Sequence, residues 1–162
     1  MIGKIYPNLS SLPLLAVLTL IGNNSVQAAQ NVPGNPSLIE VFTTTDLPVA
    51  NEGVKESLSE SGKVSLQVFE LDGIQRIESR LSKGLSADPD KSRRVVLDRF
   101  QRLREEDRRR IRSAAMGLAK ASLYGVDRYP AIVFDGVAVV YGTTDVHLAM
   151  FQYQRWQEGR KP

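Results

Sequence analysis

The stretch YGVDRYPAIVFDGVAVVYG, Tyr124 to Gly142, decides the fold. Ala131 to Phe134 and Val137 to Tyr141 are runs rich in β-branched and aromatic residues. The Asp135-Gly136 pair between them is the strongest short hairpin signal, because a two-residue turn of this kind needs positive φ at both positions. A β-hairpin is therefore predicted, with Pro130 at its doorstep. Proline cannot donate to a sheet ladder, so it belongs at the start of a strand and not inside one. Gly125 stops whatever helix precedes the hairpin, as a glycine just past a helix end does.

Upstream of this stretch, Ser37 to Thr45 (SLIEVFTTT) reads as a strand, with the near-continuous apolar positions Leu38, Val41 and Phe42 expected of a central buried one. Lys63 to Leu71 (KVSLQVFEL) reads as a second strand through Val64, Leu66, Val68, Phe69 and Leu71. Between them, Asp46 is a plausible helix N-cap and Pro48 fits a first turn, although Asn51, Gly53 and a Ser-rich end weaken that helix. After the Asp72-Gly73 turn, Ile74, Ile77, Leu81 and Leu85 have helical spacing, and Gly84 marks the end.

Asp88-Pro89-Asp90 opens a long helical stretch reaching Tyr124, with Val96, Phe100, Leu103, Ile111, Ala115 and Leu118 at a period near 3.6. Asp107 falls in the apolar slot between Leu103 and Ile111. Either one helix projects beyond the core there, or two helices meet. Past the hairpin, Thr143-Thr144-Asp145 caps a last helix, Val146 to Glu158, with Val146, Met150, Tyr153 and Trp156 on one stripe. Tyr153 is assigned to the core, and Trp156 fits either the core or a partner surface. The order strand, helix, strand, helix, long helix, hairpin, helix predicts a mixed sheet of about four strands with helices on both faces. The two early strands should be parallel and joined by a right-handed crossover.

The chain has 162 residues, a formal net charge of +3, one His and no Cys. Residues 1–28 carry Lys4, an apolar run from Leu12 to Ile21 and the small-residue pattern Val26-Gln27-Ala28, which together read as a secretory signal peptide cleaved after Ala28 or Ala29. That run is well short of the roughly 20 residues that span a bilayer. Residues 29–36, with Val32-Pro33-Gly34-Asn35, read as a flexible linker, and 37–162 as one domain. A periplasmic protein with no stable membrane span after cleavage is expected. The absence of Cys excludes thiolate, dithiol and Cys-ligated metal chemistry. His147 stands alone without converging ligands, so no metal and no cofactor are expected.

The order of elements resembles the thioredoxin fold, in which a cis proline begins the third core strand and faces a Cys-x-Pro-Cys loop after the first. Tyr129-Pro130-Ala131-Ile132-Val133-Phe134-Asp135-Gly136 is similar to the cis-proline segment. With Ile39-Glu40-Val41-Phe42 laid on the first strand, Asp46-Leu47-Pro48-Val49 falls where the redox loop would be. Its proline is kept and both thiols are gone, so dithiol exchange is ruled out. The chain more specifically resembles the thioredoxin-like proteins of integrating conjugative elements, a domain family of unknown function. That resemblance rests on Ile39 to Phe42, Leu71-Asp72, Leu81-Ser82-x-Gly84-Leu85-x-Ala87-Asp88-Pro89, Gly125-Val126, Tyr129 to Gly136, Val139 to Gly142 with Thr144-Asp145, and Tyr153-x-Arg155-Trp156. It implies a fold related to F-type conjugative pilus assembly proteins and an accessory role in a conjugative type IV secretion apparatus.

On this reading the protein is not an enzyme, and Asp46, Leu47, Pro48, Tyr129 and Pro130 form a peptide- or protein-binding surface. Thr43, Thr44 and Thr45 beside Asp46 admit two readings, a polar pocket opposite Pro130 or ordinary turn residues beside a helix cap. A thiol-independent enzyme at Asp46 and Thr45 is an alternative that requires a closed pocket. A second alternative uses Lys91 to Arg112, which holds ten basic and four acidic residues, to contact nucleic acid or anionic headgroups. The commoner use of such a run is a solvated helix face laced with pairs such as Glu105 to Arg109 and Glu106 to Arg110. Arg104, Arg108, Arg109 and Arg110 then serve as a secondary docking surface for protein, and nucleic acid is not the expected partner.

Overall fold

The structure is a computed structural model that describes residues 5–7, 35–50, 53, 58 and 64–160. Its strands are β1 (Ile5–Pro7), β2 (Leu38–Thr43), β3 (Ser65–Glu70), β4 (Ala131–Phe134) and β5 (Ala138–Tyr141). Its helices are α1 (Gly73–Ser82), α2 (Pro89–Gln101), α3 (Glu105–Leu123) and α4 (Val146–Glu158). One mixed sheet runs in the order β1-β5-β4-β2-β3.

β2 is the central strand, parallel to β3 from Leu38↔Ser65 to Thr43↔Glu70 and antiparallel to β4 from Ile39↔Phe134 to Phe42↔Ala131. Being covered on both faces, it is buried at every position from Ile39 to Thr43, which explains its near-continuous apolar sequence. The parallel pairing agrees with the expectation for the two early strands. In the hairpin, Asp135 and Gly136 take φ of 50° and 69°, the pair of positive values that the turn demands. Asp135 has a second role, since its Oδ1 accepts from the Ser37 and Leu38 amides and the Ser37 hydroxyl. The hairpin tip thus fixes where β2 begins.

Ile5–Pro7, within the expected leader, pairs antiparallel with Ala138 to Val140 of β5. Removing residues 1–28 would leave the four strands between residues 38 and 141.

Each sheet face carries its own apolar layer. On one, Ile39, Val41, Ile132, Phe134 and Val140 pack with Val146, Ala149 and Tyr153 of α4, and the Tyr153 ring stacks on Phe134 at 4.6 Å. Trp156 is half-buried against this layer, so it joins the core as well. On the other, Phe42, Phe69, Val133 and Val139 pack with Ala121 of α3, and Phe42 and Phe69 stack at 5.4 Å. Gly117 lets α3 approach this closely, because a Cβ there would come within 2.6 Å of the Phe69 Cβ.

The long helical stretch is two helices. α2 ends at Gln101 and α3 begins at Glu105, with Leu103 half-buried in the joint. Asp107, the charge in an apolar slot, is buried and pairs with Arg80 of α1 at 2.8 Å and with Arg104 at 3.6 Å. It therefore ties α1 to the start of α3 where a hydrophobic side chain would only pack. Glu106 pairs with Arg110 as expected, but Glu105 reaches Arg112 and not Arg109, so one predicted pair is replaced by another of longer spacing.

Candidate functional site

The antiparallel register of β2 and β4 ends at Phe42↔Ala131, so Pro130 stands level with Thr43 at one end of the sheet. Two loops leave that end, residues 44–50 after β2 and the Asp127–Pro130 approach to β4. The Tyr129–Pro130 peptide bond is cis. The Pro130 carbonyl accepts from the Gly142 amide at 2.9 Å, and the Arg128 guanidinium lies 4.8 Å above the Tyr141 ring, so the approach to β4 is held by the far end of the hairpin. The Ala50 amide donates to the Thr144 carbonyl at 3.2 Å, which ties the first loop to the start of α4.

Asp46 does not cap a helix. Residues 45 and 46 form a turn closed by the Leu47 amide on the Thr44 carbonyl, and the Thr43 hydroxyl donates to the Leu47 carbonyl. The helix sketched beyond Pro48 falls largely outside the described residues. The Asp46 carboxylate turns instead toward α1 and meets Arg76 at 3.2 Å. Arg76 also reaches Asp72 at 3.4 Å, and Asp72 Oδ1 accepts both the amide and the hydroxyl of Thr45. Burial raises the Asp72 carboxyl, but the Thr45 donors and Arg76 outweigh it and hold the group below its usual 3.8.

These contacts line an open cleft of about 520 Å³ formed by Thr44, Asp46, Asp72, Gln75, Arg76 and Ser79. It lies beyond the carboxyl ends of the parallel β2–β3 pair, where loops of such sheets commonly build sites. The sequence reading left Thr45 and Asp46 either in a polar pocket opposite Pro130 or as ordinary turn residues. The structure draws them toward α1, and Asp72 and Arg76 are the residues that reading missed. Their signal was weak but present: an acid closing a strand, with a cation one helical turn later.

Leu47 and Tyr129 are large apolar side chains left 46% and 42% exposed, and Pro48 is exposed beside Leu47. Pro130 is half-buried. Of the basic residues singled out, Arg104 and Arg110 are engaged by Asp107 and Glu106, Arg108 donates to the Leu103 carbonyl, and Arg109 is exposed. Among the described residues no cluster of three or more His, Asp or Glu side chains could hold a metal ion, and no helix is long and apolar enough to cross a membrane.

Fold and site together define a mixed α/β domain without cysteine, whose exposed apolar side chains and polar cleft gather where two loops leave the sheet. The chain belongs to the family described as protein of unknown function (DUF1525), whose model matches residues 39–159. No curated protein matches it significantly. The crystal structure of Salmonella enterica serovar Typhimurium SrgA is similar at 15% identity, covering 81% of this chain and 95% of that one, with a TM-score of 0.36.

Proposed function

We infer that this is an exported, redox-inactive thioredoxin-like accessory protein of an integrating conjugative element, which binds other components of a conjugative type IV secretion apparatus. The observation that carries the reading is the exposure of Leu47 and Tyr129 on the two loops that leave one end of the sheet, in a chain with no thiol. Such a surface suits an extended peptide. Apolar anchors supply contact area, and backbone groups bordering the loops supply directional hydrogen bonds. The polar cleft at Asp46, Asp72 and Arg76 lies beside it, ready for a charged or amide side chain of the same ligand.

This reading assigns no catalytic role. The Asp46 side chain is 84% exposed beside Arg76, an open-groove geometry and not the closed pocket that a thiol-independent enzyme would require. Photo-crosslinkers at positions 46 and 129, with one at exposed His147 as control, test the binding reading in cells carrying the element. Components of the secretion apparatus should be captured from the first two positions only. Capture of none of them, together with normal transfer when the protein is deleted, would sink it.

A further inference from the structure

α2 differs from the other helices in burying none of its side chains. It packs chiefly on α1, and its inward contact is polar: Arg99 donates to the Leu81 and Lys83 carbonyls at 2.7 and 2.8 Å. Its apolar residues are turned outward instead, with Leu97 56% and Phe100 49% exposed. Arg93, Leu97 and Phe100 follow at steps of four and three, so successive members of this stripe are neighbours along one face of α2. Arg93 and the adjacent Arg94 are exposed and meet no acidic partner among the described residues; of the nearby acids, Asp98 is engaged by Arg102 at 2.7 Å and Asp88 by Lys91 at 3.6 Å, while Asp90 is exposed in the first turn.

We propose that α2 is a membrane-surface contact that lays Leu97 and Phe100 into the headgroup boundary of an anionic bilayer while Arg93 and Arg94 bind its phosphates. Apolar side chains flanked by arginines on an exposed helix are the composition of interfacial helices. A bilayer is favoured over a protein partner by size and charge. A stable protein interface needs about 800 Å² on each side, more than the outer face of one 13-residue helix offers. A fluid anionic surface needs no matching shape, and α2 meets it with four basic residues against two acidic ones. The contact is peripheral and independent of the loop surface around Pro130.

Because the chain has no native Cys, a single introduced thiol reports on one place alone. An environment-sensitive fluorophore on Leu97→Cys is compared with one on Glu158→Cys, at the end of α4 on the opposite side of the sheet. The full-length protein is used with vesicles of phosphatidylcholine alone or with phosphatidylglycerol. The label at position 97 should shift to the blue on anionic vesicles only, and the shift should fade with added salt. Arg93→Ala with Arg94→Ala should weaken the anionic-vesicle affinity read at position 97 by roughly 30-fold. No shift at position 97 on anionic vesicles overturns the proposal. So does an equal shift at position 158 or on neutral vesicles, since either means adsorption by another part of the chain, such as the apolar run Leu12 to Ile21. Circular dichroism of the variants confirms that the fold survives these exposed substitutions.

Discussion

α2 and α3 are consecutive helices joined by three residues, both rich in arginine, yet one is welded to the sheet and the other stands away from it. α3 brings Ala114, Gly117 and Ala121 to its inner face, and these small residues let it approach β3 and α1 closely. α2 has no small-residue face and buries nothing. Charge follows the same division. In α3 two ionic groups are tied into the fold: Lys120 pairs with the wholly buried Glu40 of β2, and Asp107 is buried against Arg80. In α2 all but Arg99 are exposed, and two arginines meet no acid among the described residues. Composition alone therefore does not set what a basic helix does; the side chains between the charges do.

The sharpest way to break this contrast is to remove the cation that α3 supplies to the sheet. Glu40 is fully buried, and beside it burial and then the Glu40 carboxylate push the Tyr124 phenol up to about 12. Lys120→Ala should lower the unfolding free energy in urea by about 3 to 5 kcal/mol, because it leaves an uncompensated buried charge. Adding Glu40→Leu should recover much of that loss, since an apolar replacement of a buried pair is often neutral. A loss below about 1 kcal/mol for the single variant would mean that water reaches Glu40.

Next in size is Gly117→Ala. Its Cβ would lie 2.6 Å from the Phe69 Cβ, which is fixed to the backbone of β3, and 2.8 Å from the Leu71 Cδ2. α3 or β3 must shift, at a cost of about 1 to 3 kcal/mol by the same titration. An unchanged midpoint would show that α3 does not touch β3 there.

Asp107→Asn tests the ionic tie between α1 and α3. The Arg80 hydrogen bond, opposed by burial and helped by the charges of Arg80 and Arg104, holds the Asp107 carboxyl below its usual 3.8. A carboxyl whose folded value is depressed contributes stability that is present above the unfolded value and lost as pH falls through the folded one. The parent should therefore exceed Asp107→Asn in thermal midpoint at neutral pH, and the gap should close on acidification below 3.8. A gap independent of pH would assign the effect to shape and not to charge.

Much of this architecture was legible in the sequence, and what was not has a common physical cause. The Asp135-Gly136 hairpin, the Pro130 strand start and the Asp145 cap, whose carboxylate accepts the Leu148 amide at 2.9 Å, are local signals written within a few residues. Asp107 was visible as a misfit, though not its solution, because Arg80 lies on another helix. Glu40 looked like one polar residue in a strand; its partner is 80 positions away. Asp46 looked like a cap because Asx residues serve as caps and turn formers alike, and only the arrival of Arg76 from α1 separates the two. Pairs that span elements leave no period to read, so the cleft at Asp46, Asp72 and Arg76 could not be found from spacing.

The smallest expected effect completes the comparison. Leu97→Ser and Arg93→Ala, single changes on the outer face of α2, should move the urea midpoint by no more than about 0.5 kcal/mol in free energy, since exposed positions away from caps and ion pairs rarely matter more. A loss of 1 kcal/mol or more at either position would mean that α2 packs against the domain through this face and is not free to meet an external surface. A null effect on folding is therefore the condition under which any defect of these variants on anionic vesicles can be read as binding. The same substitutions that leave the fold untouched are the ones that should weaken the contact, whereas removing the charge of Lys120 or Asp107 in α3 should loosen the protein itself.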